Sequence, residues 1–145
     1  MVTPLMTDDQ KLLNEYKVSL LKAIEYLKYS FKKVQPLSMD LNNADPELLE
    51  TWESFVARFA RVTDIFLMKY IRTRIKLDDP GFEGSFIDHL NRAEKLGLIK
   101  DVDQWLEIRK IRNQATHEYT PKELAPYLKK IKELTSVVLA IEKAI

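Results

Sequence analysis

Apolar residues recur every three or four positions along nearly the whole chain, the spacing of helices that each bury one face. Leu12, Leu13, Tyr16, Leu20, Ala23, Ile24, Leu27 and Phe31 define a first helix. Asp8 or Asp9 caps its start, and Pro36 stops it soon after Val34. A polar loop over residues 35–45 leads to Asp45-Pro46, an N-cap followed by proline at the first helical position. The second helix runs long, to about Lys76, with Leu48, Leu49, Trp52, Phe55, Val56, Phe59, Thr63, Phe66, Leu67 and Tyr70 inward. The breaker LDDPGF ends it. A short third helix turns Phe86, Ile87, Leu90, Ala93 and Leu96 inward and closes on Gly97. Asp101 with Gln104 reads as a capping-box start for the fourth helix, and Thr120-Pro121-Lys122-Glu123 as a fuller one for the fifth. The fifth carries Leu124, Tyr127, Leu128, Ile131, Leu134, Val138 and Ile141. No strand alternation competes with this pattern. The prediction is an all-α, up-down, mostly antiparallel bundle of four to five helices forming a single domain over residues 1–145.

Composition narrows the chemistry. At 145 residues, 46% of them hydrophobic, the chain supports one domain with a real core. It has no cysteine, which removes disulfides, thiolate metal sites and a cysteine nucleophile. Three glycines leave no room for a phosphate-cradling glycine loop. A zinc site needs three or four ligands, and the two histidines stand far apart without a cysteine to help, so neither metal nor cofactor is expected. No apolar run approaches the ~20 residues that span a bilayer. MVTPLMTDDQ also lacks the basic and apolar regions of a signal peptide. A soluble, cytoplasmic protein is the expectation. The net charge of +1 says nothing about nucleic acid, so only a local cluster of cations can.

Residues 112–119, RNQATHEY, are the one polar stretch with chemical content. They close the fourth helix directly before Thr120 starts the fifth. At about 100° per residue, Arg109, Asn113 and His117 stack on one face. Arg112 leans toward them from the neighbouring row, and Tyr119 sits at the corner. Trp105, Ile108, Ile111 and Ala115 supply the core side. From the residues alone two readings stand. A histidine at a helix C-terminus is favourable simply because its cation meets exposed carbonyls. Equally, two cations, an amide and an imidazole converging on a helix end can be a site.

The pattern Arg112-Asn113-x3-His117-x-Tyr119, in this helical context, resembles the signature of HEPN-domain proteins, and more narrowly the HepT-like toxins that pair with a minimal nucleotidyltransferase. WESFVARFARVTDIFLMKYIR and HLNRAEKLGLI resemble the corresponding helices of that branch and of related nucleotidyltransferase partner subunits, so the likeness runs from about Trp52 onward. It implies a homodimeric, metal-independent endoribonuclease held in check by a cognate nucleotidyltransferase antitoxin. On that resemblance His117 is the acid/base residue, Arg112 the transition-state contact, Asn113 a polar helper, and Tyr119 the hydroxyl that a partner transferase adenylylates. The alternative within the family is a non-catalytic subunit that binds nucleotide or substrate for the transferase. Outside it lies a helical interaction module with no nucleic-acid role.

The chemistry is consistent with the resemblance. Cleaving RNA without a metal means activating a ribose 2′-hydroxyl against its own phosphate, a task for imidazole, which titrates near neutrality. A guanidinium fork matches the charge that gathers on the phosphoryl oxygens. One His117 per chain is too few for both a base and an acid, and a two-fold dimer brings a second. On the second helix Arg58, Arg61, Lys69, Arg72 and Lys76 fall on a face roughly 80° wide at ideal helical geometry. With Arg109 they either track an RNA backbone or form the solvated side of an amphipathic helix. His89, off the apolar face of the third helix, carries no role.

Overall fold

The structure, a computed structural model, describes residues 5–117 and 120–145. Among these it is an all-helical bundle. Helix α1 spans Asp8–Val34, α2 Pro46–Ile65, α3 Ile71–Asp78, α4 Phe86–Lys95, α5 Val102–Thr116 and α6 Pro121–Leu139, followed by a 3₁₀ turn over Ala140–Lys143. A π turn, Phe66–Tyr70, joins α2 to α3, so the single long second helix expected from the sequence is one rod with a wider turn inside it. Its near-continuous apolar stripe explains the uninterrupted rod: Trp52, Phe55, Phe59, Phe66, Leu67, Tyr70, Ile71 and Ile75 are all buried.

Helix ends follow the side-chain chemistry. Thr7 and Gln10 form a reciprocal capping box on α1. The Asp45 and Thr120 side chains accept the amides of Leu48 and Glu123, each before a proline at the first helical position. The Asp101 carboxylate accepts from the amides of Asp103 and Gln104. Gly97 closes α4 at φ +76°, with its own N–H on the Glu94 carbonyl and that of Leu98 on the Ala93 carbonyl. That left-handed turn favours glycine, since other residues pay for a Cβ there.

α1 and the α2–α3 rod run antiparallel along their length. Arg58 reaches the Tyr26 carbonyl, Lys69 lies over the Tyr16 ring, and Lys76 pairs with Asp9, so partners descend on one helix as they ascend on the other. α5 and α6 also pack on α2, with α6 reaching α1 as well, and Phe66 of the π turn meets Trp105 of α5 with ring centroids 4.9 Å apart. Trp105 is 2% exposed. A ring so enclosed contributes about 3–5 kcal/mol relative to alanine. The buried hydroxyls of Thr63 and Thr135 donate to the Phe59 and Ile131 carbonyls one turn back, which satisfies them without a partner helix. On α4 one inward assignment fails: Ile87, beside the cap, is half exposed, and only Leu90 and Ala93 of the ten-residue helix are fully inside.

Candidate functional site

Arg112 lies on α5 with Trp105, Ile108 and Ala115 at intervals of three and four residues, the seam row that faces α2. Asp64 lies on the matching seam of α2 beside Ala60 and Leu67. Two charges at core-type positions therefore oppose each other, and they pair. Arg112 Nε donates to Asp64 Oδ1 at 2.7 Å and Nη2 to Oδ2 at 2.5 Å, a bidentate fork. Nη1 donates to Thr116 Oγ1 at 2.9 Å, and that hydroxyl sits within reach of the Arg112 carbonyl at 3.1 Å. A guanidinium has five N–H donors. Three are engaged among the described residues, which leaves one N–H on each terminal nitrogen. The carboxylate thus fixes the plane of the guanidinium while sparing donors for a second anion.

Those donors belong to a groove between α2 and α5. A cavity of about 280 Å³ is lined by Asp64, Met68, Lys69, Arg109, Arg112 and Asn113. An adjoining open depression adds Arg61, Ile65 and Thr116. Four cations thus border the groove against one acid, so it favours an anion even with Asp64 in place. Arg109 is itself held, its guanidinium stacked 3.8 Å from the centre of the Phe86 ring at the start of α4. The π turn contributes Lys69: a wider turn rotates everything after Ile65 relative to an ideal helix, and Lys69 lines the groove while its ammonium lies 5.7 Å from the Tyr16 ring centre.

The expected convergence is therefore partly met. Arg109, Arg112 and Asn113 share the groove. His117 stands one turn further on, as the exposed C-cap of α5 at φ −94°, ψ 0°, beyond the residues that line it. Ile111, expected inward, is only half buried, since Arg112 and not Ile111 occupies the seam. Tyr119 lies outside the described residues. Among the described residues no three His, Cys, Asp or Glu side chains come together as a metal site requires.

The basic stripe expected on the second helix divides three ways. Arg58 points to α1, where it donates to Ser30 Oγ at 2.8 Å and to the Tyr26 carbonyl at 3.2 Å. Arg61 and Lys69 border the groove at Arg112. Arg72 and Lys76 line a depression with Phe82 and His89 on the α4 side. Two causes account for this: neighbouring helices capture the long side chains, and the π turn breaks the uniform 100° step on which the stripe depended.

Asp64 is the residue that sequence reasoning missed. The signal was present as a charge on the apolar row of each helix, which calls for an opposite charge across the seam. Compared with known proteins, the chain matches no family model, no curated protein and no solved structure. Its site is therefore argued from its own geometry. Among the described residues no helix is long and apolar enough to cross a membrane.

Proposed function

We propose that this chain is a metal-independent endoribonuclease of the HEPN, HepT-like type, working as a homodimeric toxin restrained by a minimal nucleotidyltransferase antitoxin. The observation that carries the reading is the Arg112 guanidinium, oriented by Asp64 and with one N–H on each terminal nitrogen unpartnered among the described residues, in a cation-bordered groove whose Asn113 lies one turn before His117. The resemblance of RNQATHEY to the family signature supports it.

In the proposed reaction a ribose 2′-oxygen attacks the adjacent phosphorus as the bond from phosphorus to the 5′-oxygen breaks. A 2′,3′-cyclic phosphate and a 5′-hydroxyl result. One imidazole takes the 2′-hydroxyl proton and another returns a proton to the leaving 5′-oxygen. A second copy of the chain supplies the second His117, and the exposed position of His117 beyond the groove suits that arrangement. Arg112 meets the charge on the non-bridging oxygens, Asn113 adds a neutral donor, and Arg61, Lys69 and Arg109 hold flanking phosphates.

The test is cleavage of RNA in the presence of a chelator, with the product ends identified and growth arrest scored on expression. Wild type gives 2′,3′-cyclic phosphate ends, and His117→Ala and Arg112→Ala do not. Full cleavage by His117→Ala overturns the reading. A second reading rests on the same groove: with His117 outside its lining, it suits a non-catalytic subunit that binds a nucleotide phosphate for a transferase. Wild type that is harmless and leaves RNA intact selects that reading.

A further inference from the structure

Tyr26 and Tyr29 are the two exposed aromatic side chains of the described residues, 43% and 64% accessible. Every other described aromatic ring is buried or half-buried, so these two are the ones not used for packing. Both share one cation. The Arg58 guanidinium carbon lies 5.6 Å from the Tyr26 ring centre and 6.0 Å from that of Tyr29, and Lys33 Nζ lies 6.0 Å from the latter. Arg58 is pinned by Ser30 Oγ and the Tyr26 carbonyl, so it sits against the rings from a fixed position while both residues stay exposed. A cation over an aromatic ring is attracted by the ring quadrupole, so the contact steadies the rings that a base would stack on.

The patch connects to the groove. On α2, Arg58, Arg61 and Asp64 are spaced by three residues, so each step rises about 4.5 Å and turns back about 60°. The three side chains run diagonally over α2, from the α1 face at Arg58, past exposed Arg61, to the α5 face where Asp64 holds Arg112. From Arg58 to Asp64 the rise is about 9 Å and the turn about 120°, so a strand joining the two passes over α2 at Arg61, with more than one nucleotide between the rings and a phosphate held at Arg112. The depression beside Tyr29 has Lys33 and Arg58 against Glu50, a net positive border.

We propose that Tyr26 and Tyr29, backed by Arg58, form a stacking platform for unpaired bases of the RNA strand whose phosphate sits at Arg112. The proposal rests on the RNA reading of that groove and assigns it a single-stranded substrate. Stacking is indifferent to base identity but needs bases free of a duplex.

Binding of a 2′-deoxy oligonucleotide, which no 2′-hydroxyl attack can cleave, tests the platform apart from catalysis. Tyr26→Ala/Tyr29→Ala weakens single-strand binding about tenfold or more, with an unchanged slope against salt, because no charge is lost. Tyr26→Phe/Tyr29→Phe keeps wild-type affinity, and affinity for a blunt duplex is the same in all three. Arg61→Ala, in contrast, lowers the salt slope. Both tyrosine pairs are surface changes, and the circular dichroism and Tm of each variant verify the fold. The platform is overturned if the alanine pair binds as wild type does, if duplex binding falls equally, or if wild type binds no single strand. Wild type that binds the strand through the tyrosines yet leaves RNA intact overturns the ribonuclease reading and keeps the platform.

Discussion

The two histidines occupy opposite situations. His89, on α4, is half buried, packed edge-on against Phe82 with ring centres 5.0 Å apart, and its Nδ1 lies 2.8 Å from the Ser85 carbonyl. A carbonyl only accepts, so Nδ1 must carry the proton and the tautomer is set by the fold. His117 caps α5 in the open, held through its backbone N–H to the Gln114 carbonyl, exposed and one turn beyond Asn113 of the Arg112 groove. A ring committed to a carbonyl and a neighbouring aromatic has a structural task. One left in solvent is available to move protons, as the proposed ribonuclease reaction requires of His117.

The sharpest way to break that contrast is to remove each ring. His117→Ala is expected to lower RNA cleavage by about 10²–10⁴-fold, the worth of a positioned acid or base. His89→Ala leaves cleavage at the wild-type rate and costs about 1 kcal/mol in urea unfolding, the net value of one hydrogen bond. Equal losses from the two substitutions would erase the distinction.

Arg112→Ala follows in size. It removes the donors aimed at the phosphate, with an expected fall of about 10²–10³-fold in cleavage, as for loss of one such donor elsewhere. Arg112→Lys restores the charge but not the fork, so most of the loss persists; full recovery by lysine would show that the planar geometry is irrelevant. A smaller effect is expected at Asp64. Asparagine there keeps one acceptor and loses both the second and the charge, so the guanidinium plane loosens. Cleavage then drops roughly tenfold, mainly in kcat, as expected for a misplaced positioning group. With Asp64 44% exposed, stability changes by about 1 kcal/mol or less. An increase in cleavage would instead make Asp64 a restraint on Arg112.

The contrast between the histidines was half legible in the sequence. Most helix ends were plain because their chemistry is local: Asp45-Pro46, Thr120-Pro121 and Gly97 each satisfy orphan backbone groups within a few residues, whereas the α1 cap expected at Asp8 or Asp9 is Thr7, with both aspartates inside the first turn. His117 at the end of α5 follows from the same reasoning. The Asp64–Arg112 pair spans 48 residues, and no local rule reaches so far. It depended on noticing that Arg112 shares the row of Trp105, Ile108 and Ala115. The π turn at Phe66–Tyr70 was invisible because its residues keep an apolar pattern that a uniform helix also fits, and together with the pull of neighbouring helices it displaced Lys69 and Arg72 from a common stripe. Edge-on packing of His89 required Phe82 to fold back from the breaker, which composition does not reveal.

The smallest expected effect tests the structural half of the contrast. Ser85 caps α4, its Oγ accepting the Asp88 amide, and the Asp88 carboxylate answers by accepting from the Ser85 N–H at 2.8 Å and its hydroxyl at 2.9 Å. These bonds steady the carbonyl that holds His89. Ser85→Ala costs about 1 kcal/mol of stability through the lost cap. The backbone N–H and then the hydroxyl of Ser85 hold the Asp88 carboxyl below its ordinary value of 3.8. A carboxylate lowered on folding stabilises the protein above the unfolded value, and that contribution disappears as pH falls through the lower folded value. The gap between wild type and Ser85→Ala in urea unfolding should therefore be constant from neutral pH down to about pH 4 and narrow below it, without closing, because the bond from the Asp88 amide does not titrate. Cleavage near neutral pH should be untouched. A variant that loses cleavage while keeping its fold would mean that the α4 histidine and its cap serve the reaction after all.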